Sequence, residues 1–217
     1  EDSPDHPVFR RIVAPWRKFT GDNPDAIYYE SAIRPGLEYR VRGNMAGAVY
    51  VSITIECGGE QNRFGTRTGG VINDTQFEVA SDGSFEVRLG GPERKRGWLP
   101  IPADAWRLTT RHYFEEERYA ASDPARFVPL SIEVVGAKPP PPPAPDDASV
   151  AAGIRRASAF VRARSLDMPP MGQRAQPAFV GRTPNRFPAP VAPGDGALSA
   201  FDAAYSLAPY VLGPDQA

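Results

Sequence analysis

The sequence predicts a mostly β protein: an antiparallel β-sandwich or jelly-roll-like domain, followed by a Pro-rich linker, one amphipathic helix and an extended tail. Three observations carry this. Apolar and polar residues alternate with a period of two in short segments between residues 26 and 135, as they do on half-buried strands. Turn chemistry separates those segments, with Asn-Pro-Asp, Arg-Pro-Gly and Asp-Gly among the signals. Finally, 15 of the 25 prolines fall between Pro139 and Pro214. Proline fixes φ and removes a backbone donor, so that third is neither a compact helical domain nor a set of central strands.

Residues 1–19 read as a lead-in. The Val8/Ile12 and Phe9/Val13/Trp16 spacings fit a short amphipathic helix, ended or kinked at Ala14-Pro15, that packs on the first sheet. The β domain spans residues 20–136. In residues 26–33, Ile27, Tyr29 and Ser31 share one face, and Tyr28 and Glu30 the other. Arg34-Pro35-Gly36 is a type II turn, with Gly where φ is positive. Leu37, Tyr39 and Val41 then alternate with Glu38, Arg40 and Arg42. After a turn at residues 44–47, Val49, Val51, Ile53, Ile55 and Cys57 share one phase of a strand, and Ser52, Thr54 and Glu56 the other. Residues 58–70 are Gly-rich, hold Arg63 and Arg67, and read as a mobile loop rather than an anion clamp.

The sharpest local signal is a β-hairpin, with Phe77 and Val79 before Ser81-Asp82-Gly83-Ser84, and Phe85, Val87 and Leu89 after it. Trp98-Leu99-Pro100-Ile101-Pro102 follows a charged loop, and Asp104 is placed to cap a short turn through Trp106. Residues 108–119 and 130–135 read as the last strands. About eight strands result, and two facing layers would bury one phase of each. Residues 137–146 are a polyproline linker, whose run from Pro139 to Pro145 extends by roughly 20 Å at about 3.1 Å per residue. In residues 147–167, capped by Asp146 or Asp147, Val150, Ile154, Ala157 and Val161 recur at helical spacing. That stripe is expected to lie on the β domain and leave the arginines in water. Residues 168–197 are a Pro-rich extended strap. Residues 198–217 echo the first strand region, since Asp25, Ala26, Tyr28 and Gly36 match Asp202, Ala203, Tyr205 and Gly213 at one offset. They read as the start of a truncated second β repeat.

The segments NPDAIYYESAIRPGLEYRVRG, DGSFEVRLGG, GWLPIP and RHYFEEE, in that order, resemble a bacterial family catalogued as domain of unknown function 1214. The resemblance covers about residues 20–136. It implies a jelly-roll-like β-fold, often in tandem, which agrees with the echo near the end. The family brings no reaction or catalytic residues with it.

Composition narrows the function. Lys and Arg total 25 against 26 Asp and Glu, so no global field favours nucleic acid or an anionic membrane. No apolar run is long enough for a membrane helix. The single cysteine, Cys57, excludes an intrachain disulfide and reads as a buried small hydrophobe. The chain starts without Met or a signal-peptide pattern, so residues are expected to be missing upstream, and the cytoplasm is the expected location.

Catalytic constellations are sparse. The two histidines are His6 and His112, and no G-x-S-x-G occurs, which leaves a serine triad without support. His112 and Glu116, on one face of the predicted strand, fall short of a zinc ligand set, so no metal site is assigned. The acidic strand end reads as a solvated stretch paired with Arg118 and Arg111, and oxygen-only Ca²⁺ binding by Asp22, Asn23 and Asp25 is an alternative. No cofactor fingerprint is present. The catalytic candidates are Glu56, Tyr113 and Glu116, with Glu30, Glu56 and Glu116 all on polar phases. The ligand-binding candidates are Asp25, Tyr28, Glu30 and Trp98, with Tyr39, Trp106 and Tyr113 as further aromatics for a sugar or other planar ligand.

Two readings follow. One is a non-catalytic β-sandwich module that binds a small molecule, carbohydrate-like among the choices, or packs in an assembly, as a homo-oligomer or with a second β-domain completing the edge near Ala217. The other is an enzyme with a pocket between tandem β-domains, using carboxylate or tyrosine acid–base chemistry on a small organic substrate.

Overall fold

Period-two segments pair into two sheets in a computed structural model that describes residues 3–18, 22–59, 65–136, 140–167, 177–194, 199–200 and 202–216. Among them the chain is mostly β, with a single helix. A five-stranded antiparallel sheet runs in the order β1 (Arg10–Arg11), β2 (Ala26–Ala32), β8 (Ala105–Tyr113), β4 (Tyr50–Cys57), β5 (Arg67–Asn73). A four-stranded sheet runs β7 (Trp98–Leu99), β6 (Ser84–Leu89), β3 (Tyr39–Asn44), β9 (Leu130–Val134), with β7 parallel to β6 and the other pairs antiparallel. The chain passes from one sheet to the other between β2 and β3, β3 and β4, β5 and β6, β7 and β8, and β8 and β9.

The alternation decides which face is buried. Ile27, Val51, Ile53, Ile55 and Leu108 from the first sheet join Tyr39, Val41, Val87 and Leu89 from the second in one core. Burial of each such side chain contributes about 1.5–3 kcal/mol relative to exposure. Phe85 touches Phe77 at 4.9 Å between ring centroids and reaches His112 of the opposite sheet at 6.4 Å. The Pro35-Gly36 turn forms as expected, with Gly36 at φ 83°.

Several expectations are corrected. The lead-in is extended, not helical: Arg10 and Arg11 pair with Glu30 and Tyr29, and Trp16 is 75% exposed. Pro7 and Pro15 favour this, and the sheet offers β1 a ladder that a short isolated helix lacks. Arg67–Asn73, within and beyond the stretch read as a loop, form β5. Its Gly69 is required, because a Cβ there would sit 2.4 Å from the Cys57 sulfur. Arg63 lies outside the described residues. The first arm of the Asp-Gly hairpin is reduced to one bridge, Val79 with Phe85. Ala105 opens β8 where a capped turn is predicted, and β8 ends at Tyr113, so Glu115, Glu116 and Glu117 lie in an exposed loop. Val49 is exposed, outside the core phase assigned to it.

The helix α1 (Asp147–Arg164) starts at Asp146 through a capping box with Ser149. Its orientation differs from expectation. Val150, Ile154 and Val161 are 53%, 63% and 61% exposed, while Arg156 and Phe160 are the partly buried side. The strap and tail form bridges with each other, Val180 with Leu207 and Val191 with Tyr205, and residues 202–216 hold no longer strand. Residues 168–176 and 195–198, also part of the strap and tail, lie outside the described residues.

Candidate functional site

The five-stranded sheet has a second, polar face, and it is here that the sequence candidates meet. Register places Tyr113 between Ala26 and Tyr50, Arg111 between Tyr28 and Ser52, Thr109 between Glu30 and Thr54, and Arg107 between Ala32 and Glu56. Side chains of like phase on neighbouring strands stand side by side, so this list is a map of the face. Its centre is closed to water: Ser52, Thr54, Glu56, Thr109 and Arg111 are each at most 3% exposed. A half-buried β4 was expected, and this strand is instead buried on both sides.

Two arginines on the face hold partners across the strands. Arg107 donates to Glu30, and Arg111 Nη1 donates to Thr54 Oγ1 at 2.7 Å. Glu56 lies between two β-bulges. On one side the β4–β5 register skips Gly69, and on the other the β4–β8 register skips Trp106. Bulges re-aim side chains, and this one carries Trp106 to the edge of the face, where the Arg107 guanidinium lies 4.1 Å from its ring centre.

At the other end of the same face is a cleft of about 470 Å³, walled by Tyr28, Tyr50 and Tyr113 from three adjacent strands and by Asn23, Ala200, Asp202 and Tyr205. Tyr50 and Tyr113 meet edge to face at 5.5 Å. Asn23 N–H donates to the Tyr28 hydroxyl at 3.1 Å, and Asn73 Nδ2 ties the tail down by donating to Asp202 Oδ2 at 3.0 Å. The Tyr50 hydroxyl is buried and makes no hydrogen bond among the described residues. Burial, reinforced by neighbouring Tyr113, pushes the Tyr28 hydroxyl well above its ordinary value. Burial also raises Tyr113, against the pull of Arg111. Both are therefore neutral hydrogen-bonding groups across the physiological range, displaced away from the pH at which a proton-transfer catalyst works best.

The candidates divide as follows. Tyr28 and Tyr113 come together in the cleft. Glu30 and Glu56 share the polar face, but Glu56 is six residues along β4 from the Tyr50–Tyr113 pair, roughly 20 Å at about 3.3 Å per residue. Glu56 and Tyr113 thus do not converge on one substrate atom. Glu116 is exposed in the loop after β8 and pairs with Arg126, not with the expected Arg111 or Arg118. Asp25 uses its backbone, its carbonyl accepting from Phe114 N–H at 2.8 Å. Trp98 lies in the four-stranded sheet, where Nε1 donates to Gly90 O at 2.8 Å. Tyr39 is wholly buried; its hydroxyl donates to Pro4 O at 3.0 Å, and burial pushes its pKa to about 12. His112 lies in the core between the sheets, fully buried. Cys57 is a free buried thiol whose pKa burial and Asp104 push up to about 11, which makes it a poor nucleophile.

Tyr50 was not singled out from the sequence. Its signal was its phase: it shares the polar side of β4 with Ser52, Thr54 and Glu56, as Tyr28 and Tyr113 share the polar sides of their strands. Only the register shows that all three end at one place.

Among the described residues no group of three or more His, Cys, Asp or Glu is arranged to hold a metal ion. In the same residues no helix is long and apolar enough to cross a membrane.

No protein-family model matches the chain, and no curated protein matches it. Among solved structures it is similar to an uncharacterized protein from Burkholderia cenocepacia, at 29% identity and a TM-score of 0.60, over 74% of this chain and 43% of that one. A weaker likeness, at 17% identity and a TM-score of 0.35, is to the VPA0106 protein from Vibrio parahaemolyticus, over 61% of this chain and 31% of that one. The chain spans less than half the length of either.

Proposed function

We propose that this chain is a non-catalytic β-sandwich module, jelly-roll-like as its motif resemblance implies, that binds a small polyhydroxylated molecule of carbohydrate type in the tyrosine cleft. The observation that carries this is the convergence of Tyr28, Tyr50 and Tyr113 from three neighbouring strands on one cleft with Asn23 and Asp202 at its margin. Aromatic faces stack on the apolar side of a sugar ring, and neutral phenols, an amide and a carboxylate bond its hydroxyls. The raised tyrosines support binding over acid–base chemistry.

Calorimetric titration with a panel of mono- and disaccharides tests the reading. At least one binds, and Tyr113→Ala abolishes its heat while circular dichroism stays unchanged. A panel without heats, or a heat that survives Tyr113→Ala, overturns it.

One observation favours packing in an assembly as a second role. Val150, Ile154 and Val161 on α1, with Tyr210, Val211 and Leu212 in the tail, leave apolar surface in water. A concentration-dependent sedimentation coefficient, lost in Ile154→Glu/Val161→Glu, is the expected result.

A further inference from the structure

A second cleft, of about 710 Å³, lies where α1 passes the edge of the five-stranded sheet, and it shares no residue with the tyrosine cleft. Its size falls within the roughly 300–1,000 Å³ typical of small-molecule sites. Four arginines from four parts of the chain line it: Arg10 of β1, Arg34 of the turn after β2, Arg107 of β8 and Arg156 of α1. Among the described residues that line it there is no aspartate or glutamate. Asp5 holds Arg34 at 2.8 Å and Glu30 holds Arg107, and neither carboxylate reaches the wall of the cleft. In a chain with a formal net charge of −1, so many guanidiniums facing one space is a local design, not a reflection of composition.

The rest of the wall is apolar. Trp106, turned to this edge by its bulge, has the Arg107 guanidinium over its ring at 4.1 Å from the ring centre, and Phe160 of α1 lines the cleft with it. Guanidiniums fixed by stacking or by a carboxylate behind them present their remaining N–H groups in a planar fork, the geometry that receives carboxylate or phosphate oxygens. We infer that this cleft is a second binding site, for an organic anion that combines a carboxylate or phosphate head with a flat apolar body. The arginines take the head, and Trp106 and Phe160 take the body.

Calorimetric titration of the full chain with benzoate, phenyl phosphate, inorganic phosphate and benzyl alcohol tests this. Benzoate or phenyl phosphate binds, and which of the two is tighter identifies the head group; benzyl alcohol binds at least about tenfold more weakly, since it lacks the charge. Arg156→Gln weakens the aryl anion by about tenfold, and Phe160→Ala weakens it while leaving inorganic phosphate unchanged. Tyr113→Ala leaves this binding intact, which separates it from the sugar cleft. Should Arg156→Gln disturb the helix by circular dichroism, Arg34→Gln in the turn gives the same comparison. Absence of binding by both aryl anions, equal binding of benzyl alcohol, or affinity unchanged in the arginine variants overturns the inference.

Discussion

β4 carries two opposed chemistries on one strand. Toward the four-stranded sheet it presents Val51, Ile53, Ile55 and Cys57; away from it, Ser52, Thr54 and Glu56. Both sets are closed to water, with Ile53 and Thr54 each at 0% exposure. The apolar set is stabilised by its own burial. The polar set gains nothing from burial as such: Thr54 is compensated by the Arg111 bond, whereas the buried Ser52 hydroxyl makes no hydrogen bond among the described residues. The difference teaches that stability is made on the inner face and that the outer face, which costs stability to keep, is where binding is to be sought.

The largest expected effect is on the inner face. Ile53→Ala should lower the unfolding free energy by about 2–5 kcal/mol in urea titrations, through lost burial and a residual cavity. A cost below about 1 kcal/mol would mean that the two faces are not so different. The inner face also has one polar intruder, His112, whose pKa burial pushes down to about 4, with the Asn44 backbone acting in the opposite direction. In the unfolded chain the imidazole takes up its proton near pH 6.5, whereas in the folded chain it resists to about 4. The unfolded state therefore binds more protons in that window, and stability falls as the pH drops from about 6.5 to 4, by about 3 kcal/mol in total. Above about pH 6.5 this contribution is flat. His112→Leu should remove that share of the slope; an unchanged slope would place the imidazole elsewhere.

On the outer face the effects are smaller. Thr54→Val removes one acceptor from Arg111 and should cost about 1–3 kcal/mol by the same titration, more than its nearly equal volume would suggest. Tyr50→Phe should not lower stability and should raise it by about 1 kcal/mol, because its buried hydroxyl makes no hydrogen bond among the described residues, yet it should weaken sugar binding. That separation of stability from binding sharpens the contrast most.

Strand phases were legible in the sequence where one face is apolar: Ile27 and Tyr29 against Tyr28 and Glu30 follow the expected alternation, as do Tyr39 and Val41. The Pro35-Gly36 turn was legible because Gly alone meets its φ without strain. β1 was misread because Val8, Ile12 and Val13 have helical spacing, while the ladder to β2 is a tertiary fact. β5 is hidden by Gly69 and Gly70, which look like loop until Cys57 is seen packed against Gly69. The helix α1 forms as its spacing predicts, but periodicity does not say which side meets the sheet: the Val150/Ile154/Val161 stripe faces water, and Phe160 with Arg156 lines the cleft at the sheet. Of the site, Tyr28 and Tyr113 were singled out from the sequence. Their meeting with Tyr50 depends on strand order β2-β8-β4, which no local pattern encodes.

The central claim, that the outer face binds through its tyrosines, is tested most directly by tyrosine-selective NMR during titration with the sugar that gives a calorimetric heat. The account predicts that the ring signals of Tyr28, Tyr50 and Tyr113 shift together and saturate at one ligand equivalent, while the core residue Tyr39 stays in place. Shifts confined to other tyrosines, with these three unmoved at saturation, would contradict it.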